Sequence, residues 1–384
     1  MKKNDLSRCG KSTLRVFWMV VLMAAIWLPH ATGQQQARAR WTEKQAASWY
    51  AQQRWLVGAN FLPSTAINQL EMFRPESFDT ATISREFAYA HSLGMNTMRV
   101  YLHDLLYLYD REGFFKRLDI VLGLAEKQGI RLLLTIFDSC WDPYPRWGTQ
   151  PAPRPHVHNS GWVQSPGVQA LKDTAGYGRL ETYVKDLLRR FGKDKRVLAW
   201  DVWNEPDNRN IPSYDQLELP DKTVYVLPLL KKVFEWARAV HPSQPLTSGI
   251  WAGSNWSEAH LRPIDKLQLE QSDIITFHSY DQPELFEKKI RWLQRFNRPI
   301  ICTEYMARPN GSTFESFLPI AKKYRVGMIN WGFVAGKSQT IYAWDSWTKT
   351  YDAEPELWFH DIFRTDGTPY RNAEVDFIRK MTGH

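Results

Sequence analysis

The sequence predicts an α/β protein whose single domain is a (β/α)₈ TIM barrel. The 384-residue chain carries eight apolar runs rich in β-branched and aromatic residues, amphipathic stretches separate them, and no Gly-rich phosphate loop follows the first run. Eight alternations of strand and helix favour a closed barrel over an open doubly wound sheet, and the missing loop disfavours a dinucleotide-binding fold. The runs predicted as strands are Trp55–Phe61, Asn96–His103, Arg131–Asp138, Val197–Glu205, Pro245–Trp251, Asp273–Tyr280, Pro299–Tyr305 and Gly327–Val334.

Between these strands, apolar residues recur at helical spacing in stretches that end at a glycine, which can terminate a helix. Three such stretches end at Gly94, Gly129 and Gly192. A hydrophobic content of 43% is sufficient for a substantial core. Because we find no internal repeat and no second domain boundary, we predict one domain over residues 55–384, preceded by a lead-in over residues 34–54.

The first 33 residues have the order of charge and hydropathy of a secretory signal peptide. Five basic residues, the last of them Arg15, precede the apolar run Val16–Leu28, and Ala31-Thr32-Gly33 offers small residues for cleavage. A retained membrane anchor is the alternative, but the run is shorter than the ~20 apolar residues that a spanning helix needs. We therefore expect cleavage of residues 1–33, an exported protein that is periplasmic or extracellular, and no stable membrane span in the mature chain.

Charge and cysteine content argue against several function classes. Cleavage would remove five basic residues and one acidic residue, which lowers the formal net charge from +8 to +4. Without a dense stripe of Lys and Arg, we expect no nucleic-acid partner. Cys140 and Cys302 would remain, and no spacing pairs them, so we interpret both as buried free thiols. Cys302 has no His at a spacing typical of a thiol nucleophile.

Two of the predicted strands end at a glutamate. Glu205 follows the apolar run Val197–Trp203 within Asn204-Glu205-Pro206, and Glu304 ends Ile300-Ile301-Cys302-Thr303-Glu304. In a (β/α)₈ barrel, the carboxyl ends of the strands meet at the face that carries the active site. Two carboxylates at that face suit the hydrolysis of a glycosidic bond, in which one carboxyl donates a proton and the other stays ionised.

A long Pro-rich loop over residues 139–167 interrupts the alternation of strands and helices. Loops of this length in compact domains are usually functional, and we expect this one to overhang the mouth of the barrel. Aromatic rings can stack on sugar rings, and residues of this type occur in this loop and in others on the same side: Trp141, Tyr144, Trp147, Trp162, Trp251, Trp256, Trp344 and Trp347. His156 and His158 lack a third ligand, so we predict no metal and no cofactor.

Taken together, these motifs resemble glycoside hydrolase family 5, the cellulase-like family among the retaining β-glycosidases of clan A. The resemblance implies that residues 55–384 form the catalytic domain, that Glu205 is the general acid/base and that Glu304 is the nucleophile of a double displacement. It also implies that the substrate contacts are made or supported by residues at successive strand ends: Arg99, Asn204, His278, Tyr280 and Trp331. In this family Arg99 would keep Glu304 ionised, Asn204 would bind the sugar 2-hydroxyl, and Trp331 would form the floor of the central sugar site.

The third strand departs from the cellulase pattern, which commonly places a His near the substrate. Here the strand ends in Phe137-Asp138-Ser139. We therefore expect His103 and Asp104, just after the second strand, to take up polar contacts to the sugar. We also predict that Asp138, Trp141 and Trp251 bind substrate. This departure weakens the transfer of cellulase specificity to this chain.

Three functions are consistent with the sequence. The first is an endo-β-1,4-glycanase, similar to a cellulase or a mannanase, that acts as a monomer on a poly- or oligosaccharide. The second is an exo-acting β-glycosidase or mannosidase, which would require the loop over residues 139–167 to wall off one end of the cleft. The third is a catalytically silent carbohydrate-binding barrel, which the presence of both glutamates disfavours.

Overall fold

Eight parallel strands form a barrel in the computed structural model, which describes residues 37–384. The strand order is β5-β4-β3-β2-β1-β8-β7-β6, and a parallel bridge between Ile250 and Phe277 joins the two ends of the sheet. The prediction of a (β/α)₈ barrel is confirmed. The strands are β1 (Val57–Asn60), β2 (Thr97–Tyr101), β3 (Arg131–Thr135), β4 (Val197–Asp201), β5 (Leu246–Thr247), β6 (Ile275–His278), β7 (Ile300–Glu304) and β8 (Gly327–Asn330).

Helices surround the barrel and alternate with its strands. A kink at Asp110, where φ is −152°, bends the long helix that follows β2. The α-helices of the described residues are α1 (Glu43–Ala51), α2 (Gln69–Phe73), α3 (Thr80–Ser92), α4 (Asp104–Lys127), α5 (Val168–Lys172), α6 (Tyr177–Phe191), α7 (Lys222–Ala239), α8 (Pro263–Gln271), α9 (Pro283–Gln294), α10 (Phe314–Tyr324) and α11 (Asn372–Thr382).

Strand β5 is much shorter than the apolar run 245–251 that predicts it. The chain approaches β6 closely beyond Thr247, and a Cβ atom on Gly249 would lie 3.1 Å from the Thr276 hydroxyl oxygen. The two strands nevertheless stay in register, because Ile250 accepts a hydrogen bond from the backbone N–H of His278 at 3.0 Å. The run therefore crosses the sheet as predicted, with irregular hydrogen bonding in its second half.

Helix α1 closes the amino-terminal end of the barrel. Its Ala46 and Tyr50 pack on apolar side chains that point inward from the strands, including Leu133, Leu198 and Ile301. The Tyr50 hydroxyl also donates a hydrogen bond to the Arg325 carbonyl oxygen at 2.7 Å. The predicted signal peptide, residues 1–33, lies outside the described residues, as does Cys9.

Between residues 37 and 384, no helix is both long enough and apolar enough to cross a bilayer.

Two long loops meet above the carboxyl ends of the strands, and we call residues 139–167 and 336–351 together the wall. The Asn159 N–H donates to the Ser338 carbonyl oxygen at 2.8 Å, and the Trp347 indole N–H donates to the His158 carbonyl oxygen at 2.8 Å. The rings of Trp141 and Trp347 stack with centroids 5.4 Å apart. The wall therefore joins the loop after β3 to the loop after β8 across the mouth of the barrel.

Candidate active site

Glu205 and Glu304 face each other at the carboxyl end of the barrel. Glu304 is the last residue of β7, and Glu205 lies four residues beyond the end of β4. One oxygen of each carboxylate and one ring nitrogen of His278 all lie within 4.8 Å of one another. Glu205 has a φ of +41°, a left-handed conformation that is uncommon for a side-chain-bearing residue and often accompanies a functional site.

Arg99, on β2, is the cation beneath the Glu304 carboxylate. It is fully buried, and its guanidinium lies 2.9 Å from a Glu304 oxygen and 2.6 Å from an Asp201 oxygen. Burial alone would lower the pKa of Arg99, but Tyr101, Asp201 and Glu304 raise it above its usual value. The guanidinium therefore stays charged and stabilises the ionised form of Glu304.

Two tyrosine hydroxyls also donate hydrogen bonds to Glu304. Tyr101 reaches one carboxylate oxygen at 2.9 Å and Tyr280 reaches the other at 2.8 Å. Burial and the Glu304 charge raise the pKa of Tyr280 well above its usual value, and burial does the same for Tyr101. Both hydroxyls therefore keep their protons and remain donors, which fixes the orientation of the carboxylate.

Glu205 is surrounded by a different set of groups. His278 Nδ1 lies 2.7 Å from one of its oxygens, and the Asn208 side-chain amide donates to the other at 2.6 Å. The Cys140 sulfur lies 3.3 Å from that second oxygen. Arg99 donates a hydrogen bond to Glu304, and none to Glu205 among these contacts. The two carboxyl groups therefore occupy electrostatically different environments.

A cavity of about 280 Å³ opens above the two carboxylates. Its aromatic lining includes Trp141 from the wall, Trp251 after β5 and Trp331 after β8, all three predicted from the sequence to contact substrate. Trp251 is held in place by a hydrogen bond from its indole N–H to Asp207 at 2.9 Å. The ring faces and the two carboxylates give the cavity the chemistry of a carbohydrate site.

The cluster of Glu205, His278 and Glu304 could also be read as a set of metal ligands, since each offers one atom to a common centre. The guanidinium of Arg99, 2.9 Å from Glu304, opposes a second cation there. That no metal takes part stays a prediction, which elemental analysis of the purified protein would test.

Comparison with known proteins supports the carbohydrate reading. The family model described as Cellulase (glycosyl hydrolase family 5) matches residues 64–350, well over half of the chain. The chain belongs to glycosyl hydrolase family 5. The resemblance predicted from the order of the motifs is thereby confirmed.

Similar proteins within and around this family include several that act on mannans. Mannan endo-1,4-beta-mannosidase 2 of Oryza sativa subsp. japonica is 22% identical over 290 residues, covering 65% of this chain and 61% of the rice protein. The match thus spans less than two thirds of that relative. A solved exo-beta-1,4-mannosidase from Opitutaceae bacterium strain TAV5 has a TM-score of 0.57 at 17% identity, covering 85% of this chain and 60% of that one.

A second solved structure, the endo-1,4-beta-D-mannanase of Thermotoga petrophila RKU-1, has a TM-score of 0.51 at 13% identity, covering 85% of this chain and 99% of that one. At such low identities, the structural likeness shows the barrel fold alone.

Two of the substrate contacts predicted for this family 5 chain lie behind the cavity surface. His103 is fully buried, and its Nδ1 accepts the Leu105 N–H at 3.1 Å at the start of α4. Asp138 is also fully buried, accepts the Trp162 indole N–H at 2.6 Å, and has its pKa raised to about 6 by burial. Their contact with sugar stays a prediction, and the contacts present support a positioning role.

Asn204 links the two halves of the site. Its side-chain oxygen accepts from Arg99 at 2.6 Å, and its amide donates to Asp138 at 2.9 Å. Both groups already have protein partners, and Asn204 is 2% exposed. A bond from this amide to a sugar hydroxyl, as the family resemblance implies, would replace its second contact, with the Cys140 sulfur at 3.3 Å, and stays a prediction.

Not every aromatic residue expected near the mouth lines the cavity. Trp256 and Trp162 are buried in the core, and Trp147 stacks on Tyr109 with ring centroids 5.2 Å apart. Trp344, by contrast, lines the cavity as expected. Tryptophan content indicated an aromatic site but could not say which rings face the substrate.

Three residues that contact the carboxylates were not predicted as site residues: Tyr101, Asn208 and Cys140. Tyr101 ends β2 two residues after Arg99, on the same face, and this period-two spacing is a signal that could have identified it. Asn208 and Cys140 belong to loops, where no periodicity indicates direction. Cys140 and Cys302 are free thiols, as predicted, with Cys302 fully buried and Cys140 only partly so.

Proposed function

We propose that this family 5 chain is a retaining β-glycoside hydrolase in which Glu205 is the acid/base and Glu304 the nucleophile. The observation that carries the proposal is the separation of the two carboxylates, whose nearest oxygens lie within 4.8 Å. Retaining enzymes hold their two carboxyl groups about 5 Å apart, whereas inverting enzymes leave room for a water with about 6.5–9.5 Å. The short separation supports direct attack by one carboxylate on the sugar.

The two steps follow from the surroundings of each carboxyl group. Glu304, held ionised by Arg99, attacks the anomeric carbon while the bond to the leaving oxygen breaks and that oxygen takes the Glu205 proton. In the second step, Glu205 removes a proton from water, whose oxygen replaces Glu304 at the same carbon. His278, between the two carboxylates, and Tyr280, on Glu304, keep both groups in position.

For the substrate, we propose a β-1,4-linked mannan or a related neutral glycan, cleaved at internal bonds. Support comes from the rice relative, whose name describes an endo-acting mannosidase, and from the matching family model. The cavity offers aromatic faces for sugar rings. The ionisable residues in its lining are the two glutamates, His158, Cys140 and Tyr280, and no lysine, arginine or aspartate of residues 37–384 lines it. A neutral sugar therefore fits this lining better than a charged one.

The wall favours a second candidate, removal of single sugars from a chain end. Trp347 stacks on Trp141 and also contacts Tyr214 in the loop after β4, with ring centroids 5.1 Å apart. A continuous polysaccharide would have to pass these contacts, which join the loops after β3, β4 and β8. A terminal sugar would end against them.

Hydrolysis of a panel of mannan, β-glucan and xylan tests the proposal. We expect Glu304→Ala and Glu205→Ala to abolish the release of reducing ends. The matched control is Glu284→Ala, which removes an exposed glutamate of α9 and should keep normal activity. Azide should restore turnover with inverted product in Glu304→Ala, because it can replace the missing nucleophile. Full activity of Glu304→Ala without azide would refute the assignment, and glycan binding without hydrolysis would favour a silent barrel.

The size of the first products separates the two modes of cleavage. Internal cleavage of mannan gives mixed oligosaccharides and a rapid fall in viscosity, whereas cleavage from an end gives monosaccharide with viscosity nearly unchanged. Trp347→Ala removes the stacking partner of Trp141, so an end-acting enzyme should begin to release longer products. An internally cleaving enzyme should keep its product pattern in that variant.

Export and a monomeric state remain proposals of the same kind. Amino-terminal sequencing of the secreted protein would show whether cleavage follows residue 33, and light scattering would give the mass in solution.

A further inference from the structure

Cys140 lies just beyond the end of β3, against the side chain of Glu205. Its sulfur is 3.3 Å from a Glu205 oxygen, 3.3 Å from the Asn204 side-chain nitrogen and 3.7 Å from that of Asn208. A single thiol therefore contacts three residues of the segment that carries the acid/base.

The directions of these hydrogen bonds are set by the groups involved. Both asparagine nitrogens can only donate, so the sulfur accepts from them and its own hydrogen is left for the Glu205 oxygen. Burial, together with the charges of Asp138 and Glu205, raises the pKa of the Cys140 thiol well above its usual value. The group therefore remains an S–H donor over the whole pH range in which a glycosidase works.

The end of β3 fixes the thiol in place. The Cys140 N–H donates to Asp138 at 3.0 Å, and the same Asp138 oxygen accepts the Asn204 amide at 2.9 Å. The Ser139 N–H donates to the Asn204 carbonyl oxygen at 3.2 Å. Movement of Cys140 would therefore disturb the segment on which Glu205 stands.

We propose that Cys140 is a positioning residue that orients Glu205 and stabilises its ionised form through an S–H donor. The thiol acts on the substrate only through the Glu205 carboxyl group, which it contacts. A thiol is a weaker donor than a hydroxyl, so it favours the carboxylate left after proton transfer without strongly opposing the protonated form needed before it. A serine at this position would disfavour the protonated form of Glu205 more strongly than the thiol does, and an alanine would not disfavour it.

The test, which rests on the proposed function, is the pH dependence of kcat/KM for wild type, Cys140→Ala and Cys140→Ser. The basic limb of this profile reports loss of the proton from the general acid. Cys140→Ala has no donor at this position, so Glu205 should lose its proton only at higher pH. The basic limb of this variant should therefore move to higher pH by about 0.3–0.5 unit, the weak end of hydrogen-bond effects. Cys140→Ser should move the limb the opposite way.

Cys302→Ala is the matched control. It removes the same atoms from the next cysteine of the barrel, whose sulfur contacts the Glu304 carbonyl oxygen at 3.2 Å and neither catalytic carboxylate. Its thermal midpoint should fall, as for any buried truncation, while its basic limb stays at the wild-type pH.

Opposite shifts in the two Cys140 variants would support the inference, because loss of packing alone gives no such pair. Coincident basic limbs in the three active proteins would overturn the positioning role and leave the hydrolase function intact. Absence of hydrolysis by wild type on every glycan would overturn the proposed function, and the positioning role with it.

Discussion

Replacing Lys222 tests whether the buried ion pair beside the active site stabilises the folded protein. Lys222 and Glu218 are 1% and 5% exposed, and the ammonium lies 2.8 Å from the carboxylate. The ammonium also donates to the carbonyl oxygen of Asn208 at 2.7 Å and to the side chain of Gln164 at 3.0 Å. One cation thus ties the loop after β4 to the wall.

The cost of Lys222→Met can be worked from this geometry. At 2.8 Å and an effective dielectric of ~20, the attraction between the two charges is about 6 kcal/mol. Burial offsets part of it and lowers the pKa of Lys222. Removing one partner of a buried pair typically costs 3–5 kcal/mol, because the other charge stays behind, and we expect about that loss here. Changing Glu218→Gln as well removes the orphaned charge, so the double variant should recover at least about 2 kcal/mol.

Urea unfolding of wild type, both single variants and the double variant measures this cycle. Far-UV circular dichroism and tryptophan fluorescence should give coincident transitions, which permits a free energy of unfolding to be extracted. A loss below about 1 kcal/mol in Lys222→Met, or strictly additive losses in the double variant, would refute the reasoning. Activity should fall in Lys222→Met even where the fold persists, because Asn208 also donates to Glu205.

Three further outcomes are expected. Arg99→Lys keeps the charge but loses the forked guanidinium, so kcat/KM should fall at least about 100-fold, and a smaller loss would show that charge alone holds Glu304. Burial raises the pKa of Glu86 to about 7 from an ordinary 4.5, so its stabilising contribution is complete below pH 4.5 and lost as pH rises through 7. The free energy of unfolding of wild type relative to Glu86→Gln should therefore fall by about 3 kcal/mol between pH 4.5 and 8, and a flat difference would contradict the shift. Gly58→Ala should prevent folding, because its Cβ would lie 1.8 Å from a carbonyl oxygen of β2, whereas the Cβ of Gly123→Ala in α4 would meet only an Arg196 guanidinium nitrogen at 3.8 Å, an ordinary van der Waals contact, so that this variant should have a raised thermal midpoint.

Much of the fold could be predicted from the sequence because it is encoded locally. Each buried strand is a short apolar run, and the run 197–205 placed Glu205 at the carboxyl end of β4, although the strand itself ends four residues earlier, at Asp201. The glutamate that ends β7 followed in the same way. Parallel register then brings the two strand ends to one face of the barrel, whatever the loops do.

The remaining features depend on contacts between distant parts of the chain. Nothing near Trp141 indicates that its ring stacks on Trp347, and nothing near Cys140 indicates that its sulfur faces Glu205. The aromatic residues of the loops illustrate the same limit, since Trp251 and Trp256 are five residues apart and only the first lines the cavity. Composition predicts that such loops are functional, while tertiary packing decides which side chains serve the site.

The helix that closes the amino-terminal end of the barrel has a consequence for the order of assembly. Its apolar partners are spread along the chain, from Leu56 just before β1 to Ile329 on β8. During synthesis, α1 emerges before any of these strands, yet it can bury Tyr50 only after β8 has joined the sheet. The earliest helix of the described chain is thus among the last to dock, and its docking reports that the ring of strands is complete.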